Sequence, residues 1–152
     1  MQVSVDNHAE ILNQIDLILE ELLHGVRASR VTLRQDVPGD YAFPVTHEAL
    51  ADGVASLRGE RTVDLRAQPV VRELAGGHQV VQDDCRSAYD EPAFLAMLET
   101  YGGLAAQIVT PVLANGALTA IVSVHQLGAA RPWSDGEVEA CTDAAHRIGR
   151  LL

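Results

Sequence analysis

The chain has 152 residues, 47% of them hydrophobic and 21% charged, with no apolar run near the ~20 residues needed to cross a bilayer. Eleven Lys+Arg against 21 Asp+Glu leave a net charge of −10, and the arginines are scattered, so neither nucleic acid nor an acidic membrane surface is expected as a partner. That is ordinary globular chemistry on the scale of one domain, expected over residues 1–152. The N-terminal stretch carries no basic segment followed by an apolar one, and the two cysteines form no metal or disulfide pattern. A cytoplasmic location is the expectation.

In chain order, Asp6 or Asn7 is placed to cap a helix from His8 to Val26. On a helical wheel Ile11, Ile15, Ile18 and Leu22 form one stripe, and Leu12, Leu19, Leu23 and Val26 form a second beside it. The arc they make suits burial against a sheet. Leu17 alone points away, which adds the expectation of a homodimer through the terminal helices. A strand follows over Ala28–Gln35, then a turn at Pro38-Gly39-Asp40 and a second strand over Tyr41–Thr46. Residues 47–66 are open between a short helix near Glu48–Leu57 and irregular strand. Gln68-Pro69 opens a helix carrying Val70, Val71 and Leu74 and stopping at Gly76-Gly77. His78–Gln82 reads as a short strand, Asp83–Ser87 as a loop, and Glu91-Pro92 as the start of a helix ending at Gly102-Gly103.

The clearest local signal is Asn115-Gly116 between the apolar runs Ala105–Leu113 and Leu118–Val124, the mark of a two-residue hairpin loop. With Ala114 opposite Ala117, continuous pairing sets Thr110 against Ile121 and Ile108 against Ser123. Alternation then gives one apolar face, with Gln107, Val109, Pro111 and Leu113 beside Leu118, Ala120, Val122 and Val124. The other face carries Ile108, Thr110 and Val112 beside Ile121, Ser123 and His125, the mixed lining expected of a ligand pocket. Ser134 and Glu137 form a capping box for a last helix bearing Val138, Cys141, Ala145, Ile148 and Leu152. Adjacent strands between terminal helices indicate an α+β fold with an antiparallel sheet.

Residues 105–112, Asn115-Gly116, residues 119–126 with Val124-His125-Gln126, and Arg131-Pro132-Trp133-Ser134 before the last helix resemble the closing hairpin and helix of GAF domains. Gly76-Gly77-His78 through Asp83-Asp84 is similar to that family's glycine, strand and aspartate step. The resemblance implies a central antiparallel sheet with both terminal helices on one face and a small-molecule pocket beneath loops and helices on the other. Ligands across the family are diverse, so neither ligand nor cofactor is specified. The expected ligand-facing residues are Ile108, Thr110, Ile121, Ser123 and His125, with Asp84 and Cys85 at the pocket rim.

Catalysis finds little support. Cys85 lacks the run that accompanies bilin attachment in phytochrome-like members, because Arg86 follows it. A methionine sulfoxide reductase cycle needs a second thiol within bridging reach, and Cys141 belongs to the buried face of the last helix. No histidine spacing suggests a metal site, and no phosphate loop or nucleophile motif is present. His125 is otherwise expected to bond within the loop carrying Trp133 or Asp135, Asp83 or Asp84 to bond its own loop, Trp133 to anchor its loop through its N–H, and Arg131 to make a surface ion pair. The leading expectation is a non-enzymatic, ligand-binding regulatory domain; the alternatives are an interaction module whose pocket is filled by its own side chains and a reductase-like enzyme.

Overall fold

The computed structural model describes residues 2–152. Its elements run α1 (Gln2–Val26), β1 (Arg30–Gln35), β2 (Val45–Leu50), α2 (Pro69–Ala75), β3 (Val80–Gln82), α3 (Pro92–Thr100), β4 (Leu104–Ala114), β5 (Ala117–Leu127) and α4 (Asp135–Leu151), with 3-10 turns at Leu65–Ala67 and Cys85–Ser87. The five strands form one sheet in the order β2-β1-β5-β4-β3, and every neighbouring pair is antiparallel. The expected α+β class and central antiparallel sheet are what the chain adopts.

Two cores lie on opposite faces of this sheet. On one, Ile15, Ile18, Leu19, Leu22, Leu23 and Val26 of α1 and Cys141, Ala144, Ala145 and Ile148 of α4 pack on Val31, Leu33, Ile108, Val122 and Val124. Burying each large aliphatic side chain contributes about 1.5–3 kcal/mol, which is why the wide arc of α1 dictates its placement. Gly149 lets α4 lie close on the sheet, since a Cβ there would stand 3.3 Å from Val112 Cγ1. The Ser134–Glu137 capping box forms in full. On the other face α2, α3 and residues 41–65 roof the sheet through Phe43, Leu65, Leu74, Phe94 and Met97.

Several boundaries differ from expectation for physical reasons. α1 begins at Gln2, so Asp6 and Asn7 lie inside it and do not cap it. β2 starts at Val45 because Asp40 accepts from Ala42 N at 2.8 Å and Phe43 turns at φ 49°, sending Ala42 and Phe43 inward as packing. No helix forms over Glu48–Leu57: Glu48 ends in β2, and its carboxylate accepts from Leu57 N at 2.8 Å, closing an irregular loop.

The hairpin carries the main correction. Asn115 (φ 53°) and Gly116 (φ 79°) make the expected two-residue turn, with Ala114 opposite Ala117 and Leu113 opposite Leu118. The register then shifts, so that Val112 opposes Ala120 and Thr119 is the extra residue of a bulge. Beyond it Thr110 pairs with Val122 rather than Ile121, and Ile108 with Val124 rather than Ser123. The helix-facing core holds Ile108 and Val112 of β4 with Ala120, Val122 and Val124 of β5. One extra residue therefore moves β4's pocket-facing set to Gln107 and Val109, while β5 keeps Ile121, Ser123 and His125 on the pocket side.

Candidate functional site

The paired residues run in rows beneath the roof. One row is Gln82, Gln107, His125 and Arg30; the next is Val80, Val109, Ser123 and Thr32; the third is Pro111, Ile121 and Arg34. Over this floor sits a cavity of about 30 Å³, closed above by Leu65, Val70, Val71, Leu74, Met97 and Tyr101. A volume of that size holds a water molecule or two.

The floor's unexpected members come from β1. Val31 and Leu33 face the helices, which turns Arg30 and Arg34 toward the roof, where they are 1% and 4% exposed. Arg30 donates from Nε to His125 Nδ1 at 3.1 Å, from Nη1 to Ala55 O at 3.0 Å and from Nη2 to Tyr101 O at 2.7 Å. Arg34 donates from Nη1 to Ala42 O and Phe43 O, both at 3.0 Å, and from Nη2 to Tyr101 Oη at 3.2 Å. Each guanidinium is thus held by neutral acceptors, and among the described residues neither forms an ion pair. Burial pulls the Arg30 pKa down to about 10, with Arg34 also lowering it against the pull of Glu48 and Tyr101.

These cations define the state of His125. Burial, reinforced by Arg30 and Arg34, holds its pKa well below the usual 6.5, so the ring is neutral. Because Nδ1 accepts from Arg30, the proton resides on Nε2. The ring stacks on Tyr101, centroids 6.0 Å apart, and burial raises the Tyr101 hydroxyl pKa, keeping it protonated. The expected bond from His125 toward Trp133 or Asp135 is replaced by this arginine contact. Among the described residues two buried side-chain polar atoms have no hydrogen-bond partner, Thr32 Oγ1 on the floor and Gln68 Oε1 at the cavity wall.

Of the residues expected to face a ligand, Ile121, Ser123 and His125 line the cavity, whereas Ile108 and Thr110 do not. Ile108 lies in the helix-side core, and Thr110 Oγ1 accepts from Gln79 Nε2 at 2.9 Å beside Thr142 of α4. Asp84 is also displaced from the expected rim: its carboxylate accepts from Arg86 N at 3.2 Å and Ser87 Oγ at 3.0 Å, capping the turn that follows. Cys85 is fully buried in the roof-side core, away from the cavity lining, where burial and Asp84 push its thiol up to about 12. Cys141 is buried among the helices on the opposite face, and its thiol likewise stands at about 12. Trp133 anchors its loop as expected, Nε1 donating to Gln82 O at 3.0 Å, while Asp83 bonds that loop rather than its own, accepting from Trp133 N at 3.1 Å. Arg131 stacks on Trp133 at 4.4 Å and pairs with Glu137. Among the described residues no group of three His, Cys, Asp or Glu is arranged to hold a metal ion.

A family model of the GAF domain matches residues 10–152. The chain belongs to the GAF family. Its fold is also that of solved GAF domains of low sequence identity. The phycoerythrobilin-bound GAF domain of a cyanobacterial phytochrome superposes with a TM-score of 0.78 at 16% identity, covering 99% of this chain and 90% of that one. The photoproduct state of GAF3 from Synechocystis sp. gives 0.76 at 19% identity, covering 91% and 90%. The blue-light-absorbing PixJ GAF domain of Thermosynechococcus elongatus gives 0.73 at 20% identity, covering 93% and 88%. No curated protein matches the chain. Among the described residues of this GAF domain no helix is long and apolar enough to cross a membrane.

The buried arginine pair was missed by reading the arginines as scattered. The available signal was the alternation Arg30-Val31-Thr32-Leu33-Arg34 in a strand that the sheet makes internal.

Proposed function

We propose that this GAF domain is a regulatory module that binds a small molecule beneath α2 and α3 and catalyses nothing. The carrying observation is the cavity itself, where an apolar roof meets Arg34, Ser123 and His125 while the buried acceptor Gln68 Oε1 lies unpartnered at its wall. Fixed polar groups in an apolar hollow are the usual construction of a ligand site. The assignment of no catalysis rests on the placement of the reactive groups. The two thiols belong to cores on opposite faces of the sheet, and both are protonated at neutral pH, which disfavours a thiol exchange cycle. His125 has an arginine, and no carboxylate, on Nδ1, the reverse of an activated base.

One structural relative is bound to phycoerythrobilin. For this chain a ligand held without a bond to Cys85 is the better reading, given that thiol's burial away from the cavity. The same reading assigns the domain to the cytoplasm, in keeping with its two free cysteines. Native mass spectrometry of the purified protein is the test. A retained small molecule, released on unfolding, is the expected result. Protein that carries no added mass and gains no thermal stability from a metabolite mixture would favour the second reading, an interaction module with a self-filled pocket. The smallness of the cavity, about 30 Å³, is what speaks for that second reading.

A further inference from the structure

We infer that the ligand of this site is a small carboxylic acid with a short apolar body, its carboxylate held by Arg34. The inference rests on the ligand-binding reading above and narrows it to a chemical class. A protein of net charge −10 has 21 carboxylates to spend, yet none pairs with Arg30 or Arg34 among the described residues. Burying a cation without a counter-charge costs several kcal/mol in general, and apolar replacements of similar size usually serve stability better. Arg30 has the attraction of Glu48 against this cost, so it is Arg34, four residues further along the same face of one internal strand, that needs a counterpart.

The two arginines divide the work. Arg30 is absent from the cavity lining; its three bonds fix Ala55, Tyr101 and His125. Arg34 lines the cavity and, among the described residues, is the only formally charged group that does. Its three bonds use Nη1 twice and Nη2 once, which leaves Nε–H and one hydrogen of Nη2 from a guanidinium with five. A carboxylate is the planar acceptor that matches such neighbouring donors. The same cavity is lined by His125, whose proton the Arg30 contact fixes on Nε2, and by Ser123 with its hydroxyl. Among the described residues no Asp or Glu lines the space, and the charge of Glu60 reaches it only through Tyr101.

The rest of the lining selects the body. Val70, Val71, Leu74, Met97, Val109 and Ile121 are apolar and surround the polar end. A strongly hydrated multivalent group such as a phosphate gains nothing from these walls, whereas a short hydrocarbon tail does. Its entry requires the roof side chains to give, because the present cavity of about 30 Å³ accommodates little more than the head group.

The test compares by calorimetry near neutral pH the isosteric pair 3-methylbutanoate and 3-methylbutanamide with the cation of the same carbon skeleton, 3-methylbutylamine. Wild type should bind the acid at least ~10-fold more tightly than the amide, and the amine more weakly still, as a charge-assisted pairing requires. Arg34→Gln should lose that preference, acid and amide then binding within about threefold of each other. Equal affinity of wild type for acid and amide overturns the carboxylate assignment and leaves a ligand-binding domain standing. Binding of none of the three also overturns it, and a retained mass in native spectrometry then decides separately whether the domain binds anything. Should Arg34→Gln not fold, as judged by far-UV dichroism, the acid-over-amide preference of wild type decides the matter without a variant.

Discussion

Acidification from about pH 7.5 to about pH 5 costs the fold about 2 kcal/mol through His125 alone. In the unfolded chain this imidazole titrates near its ordinary 6.5, whereas burial and the Arg30 and Arg34 charges hold it neutral in the fold. The native state then binds no proton where the unfolded state binds one, so stability is complete above 6.5 and falls as the pH drops below it. A one-proton difference changes stability by about 1.4 kcal/mol per pH unit, and the unfolded-state titration integrated over that range gives the total of about 2. Urea unfolding at both pH values, on wild type and His125→Gln, measures it. The glutamine can still accept from Arg30 Nε but has nothing to titrate. Asp40 and Glu137 are both held below the usual carboxylate range, by backbone hydrogen bonds first and then by arginines, and they lose their contribution at lower pH equally in both proteins. Wild type should therefore lose about 2 kcal/mol more than the variant. Parallel losses in the two proteins would refute the account of a neutral, arginine-capped imidazole.

The register correction predicts that Ile108→Ala costs about 2–5 kcal/mol in urea unfolding and leaves ligand affinity unchanged, whereas Val109→Ala alters affinity; affinity loss in the first variant alone would restore the uninterrupted register. Ser134→Ala should cost about 1 kcal/mol by removing one half of the capping box, and a loss under ~0.3 would show that the box is idle. Iodoacetamide should leave both thiols unmodified in folded protein, each standing at about 12 and buried, and alkylate both after unfolding; rapid native alkylation of Cys85 would overturn its placement. Leu17, 61% exposed on α1 beside Leu151 and Arg147 of α4, is proposed as the seam of a homodimer, so Leu17→Glu should turn a dimer into a folded monomer by sedimentation. Wild type already monomeric at tens of micromolar would dispose of that seam.

The sequence carried the architecture where one physical signal dominated a segment. The double stripe of α1, the Pro69 and Pro92 helix starts, the capping box and Asn115-Gly116 each concern neighbours along the chain, and each appears where the residues indicate, except that Leu12 of the second stripe is exposed. The site was legible only by halves. Counting pairs outward from the turn assumes that the turn dictates register, but burial of Ile108 and Val112 against α4 and α1 sets the ladder, and Thr119 absorbs the mismatch. Arg30 and Arg34 were illegible for a different reason. A polar residue on an alternating strand reads as solvent-facing until the roof over it is known, and one part of that roof, residues 51–64, is irregular chain without periodicity.

Arg30 fastens three stretches far apart in the chain, the end of α3 at Tyr101, the loop at Ala55 and the strand at His125. Tyr101 is pinned a second time, at its hydroxyl, by Arg34. The two halves of the roof are consequently unequal. Lifting α3 strips buried cations of their acceptors, a heavy penalty. Lifting α2 uncovers Val70, Val71 and Leu74, while the polar ties nearby, Arg72 to Glu91 and Tyr89 to Glu73, are exposed ones of small worth. The cheaper door to the cavity is α2, and α3 is its frame. A molecule too large for the present hollow would register on the surface as a displaced α2, seven residues long and followed by Gly76-Gly77.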